Sequence, residues 1–223
     1  MCGRFFLEAD PDELTELLGP FGGVVPPPRY NVAPSQAVPI LREDATGARH
    51  LVPVRWGLVP GWSKGPDHRF SMINARGETV AEKPAFRAAF RYRRCLVPAS
   101  GFYEWHVRQD GKKQPFAIRR VDHRPFAMAG LWEHWQGGDG SELESCAVIV
   151  THANPRIARI HERMPVILAP ADFDAWLDRH NQHAMDLLPL LRSCPDDWLE
   201  LYPVSTQVNN PRHDGPTLRE PVG

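Results

Sequence analysis

The sequence predicts an α+β fold, mainly antiparallel β-sheet with a few short helices, and three observations lead there. Stretches rich in β-branched and aromatic residues occupy 37–42, 50–56, 95–97, 102–107, 116–119, 126–132 and 143–151. Turn signals join consecutive stretches, Asp110-Gly111 in one place and Gly137-Gly138-Asp139-Gly140 in another, as antiparallel hairpins require. The 23 prolines among 223 residues interrupt any long helical periodicity, so the helices must be short.

The first element is a helix. Asp10 is placed as its N-cap, Pro11 at the first helical position and Glu13 three residues after the cap, ahead of Leu14, Leu17 and Leu18; Gly19-Pro20 ends it. The Gly- and Pro-rich segment 21–29 reads as a loop leading into Tyr30-Asn31-Val32-Ala33-Pro34. Further helices are expected over 84–92, 155–160, 172–179 and 182–190, and a late strand over 198–204. Residues 1–208 are expected to form one domain, and the polar, Pro-punctuated stretch 209–223 an irregular or disordered tail.

Composition narrows the class. At 42% hydrophobic and 24% charged residues the chain is ordinary globular material, long enough for one sizeable core. It has no run of about 18 apolar residues to span a bilayer, and its start lacks the apolar stretch of a secretory signal, so a cytoplasmic protein without a membrane partner is expected. The cysteines Cys2, Cys95, Cys146 and Cys194 lie far apart with no C-x-x-C pair; reduced thiols are expected, with neither a zinc site nor a disulfide framework. The formal net charge of −1 hides an uneven distribution: residues 49–124 hold 16 Lys and Arg against 6 Asp and Glu, leaving 10 against 21 elsewhere. Such a middle segment fits a cationic, phosphate-attracting face, or simply a solvated charged surface, the better reading for Arg87, Arg91, Arg93 and Arg94 taken alone.

The chemistry starts at Cys2. Removal of Met1 would expose an amine and a thiol on adjacent carbons. The amine condenses with an aldehyde to an imine, and the thiolate closes on the imine carbon to give a five-membered thiazolidine. An α-amino group has a reference pKa of about 7.7 to 8.0, so it is partly unprotonated near neutrality without burial. Read from residue type alone, Cys2 is better taken as an incidental residue at a frayed end. Its context argues for a held terminus: Gly3 permits close backbone approach, Arg4 suits a phosphate, and Phe5-Phe6 suits a core.

The segment Cys2-Gly3-Arg4-Phe5 directly after the initiator methionine resembles the start of the SOS-response-associated peptidase (SRAP) family. The resemblance continues in order through Tyr30-Asn31-Val32-Ala33-Pro34, Arg55-Trp56-Gly57-Leu58-Val59-Pro60, Asn74-Ala75-Arg76-Gly77-Glu78-Thr79, Arg94-Cys95-Leu96-Val97-Pro98-Ala99 and Gly101-Phe102-Tyr103-Glu104-Trp105. It resumes at Ala153-Asn154, Ile160-His161-Glu162-Arg163-Met164-Pro165-Val166-Ile167-Leu168, and Pro203-Val204-Ser205 with Val208-Asn209-Asn210. Val150 departs from the pattern, since related sequences often carry two consecutive threonines there.

The resemblance implies a barrel-like sheet core and a protein that captures abasic sites in single-stranded or junction DNA as a covalent adduct, working as a monomer without metal or organic cofactor. It implies a site of Cys2, Asn74, Glu104 and His161: His161 as the proton donor that opens the closed sugar, Glu104 to orient the amine and shuttle protons, Asn74 to position amine or sugar. Arg4, Asn31, Trp62, Arg76 and Thr151 are the implied DNA contacts. On residue type alone Glu104 reads as a solvent-facing strand residue, His161 as structural, and Trp56 and Trp105 as core. Two other functions fit the same residues: a thiol peptidase using Cys2 with His161 and Glu104, and a non-catalytic single-strand-binding module.

Overall fold

The computed structural model describes residues 2–66 and 72–222. Its strands are β1 Phe5–Leu7, β2 Gly22–Gly23, β3 Arg29–Val32, β4 Ala37–Glu43, β5 Arg49–Trp56, β6 Asn74–Arg76, β7 Arg94–Ala99, β8 Gly101–Val107, β9 Lys113–Arg120, β10 Phe126–Gln136, β11 Glu142–His152, β12 Arg163–Pro165, β13 Ile167–Leu168 and β14 Leu199–Pro203. Its α-helices are α1 Pro11–Leu18, α2 Arg87–Tyr92, α3 Phe173–Leu177 and α4 Ala184–Leu187. The fold is α+β and mostly antiparallel, as expected.

Five strands close on themselves. In the larger sheet β5, β4, β7, β10 and β11 pair in that order, and β11 returns to β5 through a short parallel pairing, Ser145 opposite Arg55 and Cys146 opposite Trp56. These strands are buried on both faces, so their side chains alternate between two apolar layers. Ile40, Val54, Cys95, Val97, Met128, Cys146 and Val148 fill the interior; Leu41, Leu51, Leu96, Ala129, Ala147 and Ile149 face outward under the helices. Gly130 is required by this narrow interior, because a Cβ there would stand 2.9 Å from Cys95 Sγ.

The second sheet, ordered β14-β9-β8-β1-β3, packs on the barrel. The chain passes from β7 of the barrel into β8 of this sheet through Ser100 alone. At that corner a Cβ on Gly101 would meet the Phe6 ring at 2.2 Å and the Ile118 carbonyl at 2.6 Å, so only glycine fits. Along β8 the side chains then alternate: Phe102 enters the core shared with the barrel, while Tyr103 enters a smaller core on the sheet's far side with Phe6, Ala117, Val204, Val208 and Leu218.

Helix α1 forms as its capping signals dictate: Asp10 accepts from the Glu13 N–H at 2.9 Å and Glu13 accepts from the Asp10 N–H at 3.0 Å. Elsewhere the expected helices are shorter. Residues 155–160 provide only a 3-10 turn, Ile157–Arg159, and 182–190 divide into α4 and a 3-10 turn, Leu188–Leu190. The tail is irregular and packs against the domain. Leu218 is buried, Val204 bridges Pro221, and Arg29 pairs with Asp214 at 2.5 Å. Among the described residues no helix is long and apolar enough to cross a membrane.

Four arginines of the basic middle segment pair with acids from outside it: Arg49 with Glu43 and Asp174, Arg93 with Glu133, Arg119 with Glu200 and Arg124 with Glu16. Arg94, expected on a solvated helix face, is instead buried.

Candidate functional site around Cys2

The seam between the barrel and the second sheet brings the four expected residues together. Cys2 lies just ahead of β1 and is fully buried in the shared core. Asn74 opens β6, which runs parallel to β11 with Asn74 opposite Val148. Its Nδ2 donates to the Cys2 carbonyl oxygen at 2.8 Å, so a strand paired with the barrel's β11 holds the amino-terminal segment by its backbone. Asn74 Oδ1 is buried and makes no hydrogen bond among the described residues.

Glu104 reaches the seam because strand alternation places it on the same face of β8 as Phe102. It is 2% exposed, which overturns the solvent-facing reading. Burial raises its pKa above the usual carboxylate range, partly offset by the nearby His161. The Cys2 thiol is also pushed up, first by burial and then by the Glu104 charge.

His161 lies in the turn before β12, with Nε2 3.9 Å from Glu104 Oε2. Its Nδ1 accepts the Arg163 N–H at 3.0 Å and stands 3.1 Å from the Arg163 carbonyl oxygen. A neutral ring that accepts there carries its proton on Nε2, facing Glu104; the other tautomer donates from Nδ1 to the carbonyl. Once protonated, it can donate from Nδ1 to that carbonyl. The turn is fixed from behind by Asn154, whose Oδ1 accepts the Ile157 N–H at 3.0 Å and whose Nδ2 donates to the Cys194 carbonyl at 3.1 Å.

The other expected residues divide by environment. Arg76, two positions beyond Asn74 on β6, is exposed and shares its face of the strand. Trp62 is 70% exposed on a turn held by the Trp135 Nε1 donation to the Ser63 carbonyl at 2.9 Å. Thr151 is buried on β11 opposite Met164. Arg4 is partly buried, with Nη1 donating to Asn31 Oδ1 at 2.6 Å and to the Val208 carbonyl at 2.7 Å, and its guanidinium over the Trp105 ring. Asn31 is fully buried and donates through Nδ2 to the carbonyls of Val208, Asn210 and His213, so its link to the site runs through Arg4. Trp56 is core, whereas Trp105 is half-buried and donates to Asn209 Oδ1 at 2.7 Å.

The family model described as SOS response associated peptidase (SRAP) matches residues 1–211. The chain belongs to the SRAP family. Its relatives include "Abasic site processing protein YoqW" of Bacillus subtilis, 40% identical over 99% of both chains, and "Abasic site processing protein YedK" of Escherichia coli, 33% identical over the whole of both. "Abasic site processing protein HMCES" of Xenopus tropicalis is 34% identical over 85% of this chain and 64% of its own length. A crystal structure of a Bacteroides thetaiotaomicron protein superposes with a TM-score of 0.87 at 25% identity, covering 99% of this chain and all of the other.

Within this SRAP chain, Glu78 and Arg163 received no role from the sequence, although both stand in the quoted motifs. Arg163 Nη1 and Nη2 donate to the two Glu78 oxygens at 2.8 and 2.7 Å. The available signal was one acid and one base placed close behind Asn74 and His161 in separate motifs.

Proposed function

We propose that this protein processes abasic sites, capturing the lesion in single-stranded or junction DNA through Cys2 after Met1 is removed. Met1 itself lies outside the described residues. What carries the reading is the convergence on Cys2: its carbonyl is held by Asn74, and a buried carboxyl faces an imidazole beside it. A terminal residue held on one side and flanked by an acid–base pair is arranged for chemistry at its own amine and thiol.

The abasic sugar is mostly a closed hemiacetal. His161, protonated, gives its proton to the ring oxygen as a base removes the hydroxyl proton, freeing the aldehyde. The Cys2 amine adds to the aldehyde carbon to form a carbinolamine. Glu104 accepts a proton from nitrogen and returns one to the departing hydroxyl, which leaves as water and generates the imine. The Cys2 thiol then yields its proton, its sulfur bonds to the imine carbon and the nitrogen takes up a proton; the thiazolidine forms with net loss of one water. When ring closure fails, the same imine acidifies the neighbouring carbon and promotes loss of the 3′ phosphate, giving weak lyase activity. Arg76 at the rim meets the DNA backbone and Trp62 offers a face for base stacking.

The test is incubation of des-Met protein with single-stranded DNA carrying one abasic site, read on denaturing gels and by intact mass. Wild-type protein should give a stable, lesion-dependent adduct smaller by one water than the sum of its parts. Cys2→Ala should give no stable adduct while retaining strand cleavage. No adduct from protein of confirmed des-Met mass would overturn the reading.

A further inference from the structure

The Asn74 strand and the His161 turn lie on opposite edges of β11. β6 pairs with one edge, placing Val150 opposite Arg76, and β12 pairs with the other, placing Val150 opposite Pro165 and His152 opposite Arg163. A side-chain pair spans them. Glu78, two residues beyond β6, takes the guanidinium of Arg163 in a bidentate pair across the end of β11. The Gly77 N–H donates to the Val150 carbonyl at 2.9 Å, and Arg163 Nη2 reaches the same oxygen at 3.4 Å. His152 Nε2 adds a contact to Glu78 at 3.4 Å.

Arg163 acts twice. Its side chain grips Glu78, and its backbone N–H and carbonyl both face Nδ1 of His161. Any shift of the Arg163 backbone therefore moves the groups that decide which ring nitrogen of His161 carries the proton. The arginine side chain is 10% exposed and its carboxylate partner 39%, and a planar, two-bonded pair fixes orientation where a single contact would pivot.

We infer that Glu78 and Arg163 are positioning residues, a clip that sets the His161 ring and its tautomer relative to Asn74. The kinetic consequence rests on the capture reading; the structural consequence does not. A general acid displaced by a fraction of an ångström loses rate steeply, while phosphate contacts made elsewhere are unaffected.

Two substitutions test it, Glu78→Gln, which keeps shape and removes the charge, and Arg163→Lys, which keeps the charge and removes the fork. Each is expected to slow adduct formation at saturating abasic DNA by about 10-fold, with affinity for undamaged single-stranded DNA unchanged. Combined with His161→Ala, neither should add a further loss. Independently of activity, the ring nitrogen resonances of His161 should report the Nε2–H form in the wild type and a mixture in both variants. Unchanged ring resonances in both variants, or a full additional loss in the His161→Ala background, would overturn the clip. If wild-type protein forms no adduct, the capture reading falls and the ring resonances alone decide the clip.

Discussion

Asn74 Nδ2 lies 2.8 Å from the carbonyl oxygen of Cys2, joining β6, a strand paired with the barrel's β11, to the segment that leads into β1 of the second sheet. The bond fixes the backbone that carries both reactive groups of Cys2, and the buried Oδ1 of the same amide is left to accept from the amine or a sugar hydroxyl. Asn74→Ala is expected to slow adduct formation by about 10- to 100-fold, the scale of a lost reacting geometry. One hydrogen bond contributes about 1 kcal/mol net, so the urea midpoint should move little. Asn74→Asp keeps an acceptor and loses the donor, and should be as slow. Single-turnover gels beside urea melts check both parts.

Glu104 makes the site pH-dependent in a definite direction. Its folded pKa is raised by burial, so above the ordinary carboxylate value of about 4.3 the folded chain holds a proton that the unfolded chain has released. Folding stability contributed by this group is complete below that value and is lost as pH rises through the raised one. Glu104→Gln removes the loss: the variant should melt higher than wild type at about pH 7 to 8, well above the ordinary carboxylate value, and the gap should close in acid. The proton-accepting form is the carboxylate, so the wild-type rate should rise over the pH range in which stability falls. Glu104→Gln should be slower by about 100-fold or more. Thermal melts and rates over one pH series measure both trends, and a variant less stable than wild type at neutral pH would contradict the burial argument.

Arg94 carries the fold rather than the chemistry. All five of its N–H groups are used: Nε on the Trp176 carbonyl, Nη1 on those of Phe90 and Arg91, and Nη2 on those of Asp178 and Asn181. The guanidinium thus ties α2 to α3 and the segment after it, and burial brings its pKa down to about 10, leaving it charged at neutrality. Arg94→Lys offers fewer donors and leaves buried carbonyls unpaired, at about 1 to 3 kcal/mol for each group abandoned. A urea titration should show a loss of at least about 2 kcal/mol, with the adduct rate of the remaining folded protein unchanged.

How far the sequence revealed this depended on whether the determining contacts were local. The capping box of α1 lies within four residues and was read in full. The long hairpin of β10 and β11 was also legible, because its turn residues and β-branched runs are adjacent in the chain. β1 was not: Phe5, Phe6 and Leu7 are all buried, so three residues show no alternation, and the strand exists because β3 and β8 flank it. β6 and β12 are three-residue strands set by β11, far away in sequence. For the site, family motifs brought Cys2, Asn74, Glu104 and His161 together, but the burial of Glu104 depends on the corner at Gly101. Arg94 was misplaced for the same reason, since most of its carbonyl partners stand at 176, 178 and 181.

The tail supplies the last prediction, because it closes over the segment carrying Arg4. Asn31 takes the Arg4 guanidinium on Oδ1 and gives its Nδ2 to the carbonyls of Val208, Asn210 and His213, while Asp214 holds both Arg29 and the Tyr30 N–H. Leu218 anchors this strap in the far core of the second sheet. Asn31→Ala removes a fully buried amide, strands the Asn210 and His213 carbonyls and takes from Arg4 one of its two Nη1 acceptors, leaving the Val208 carbonyl; a loss of about 1 to 3 kcal/mol is expected. Leu218→Ala removes only the anchor, at about 2 to 5 kcal/mol, the scale of a large-to-small core substitution. If the strap's role is to aim Arg4 at a phosphate, Asn31→Ala should also weaken binding to single-stranded DNA and flatten its salt dependence by about one counterion. At equal folded fraction Leu218→Ala should leave that slope alone. Affinities measured over a salt series separate the two, and an unchanged slope in Asn31→Ala would confine the strap to stability.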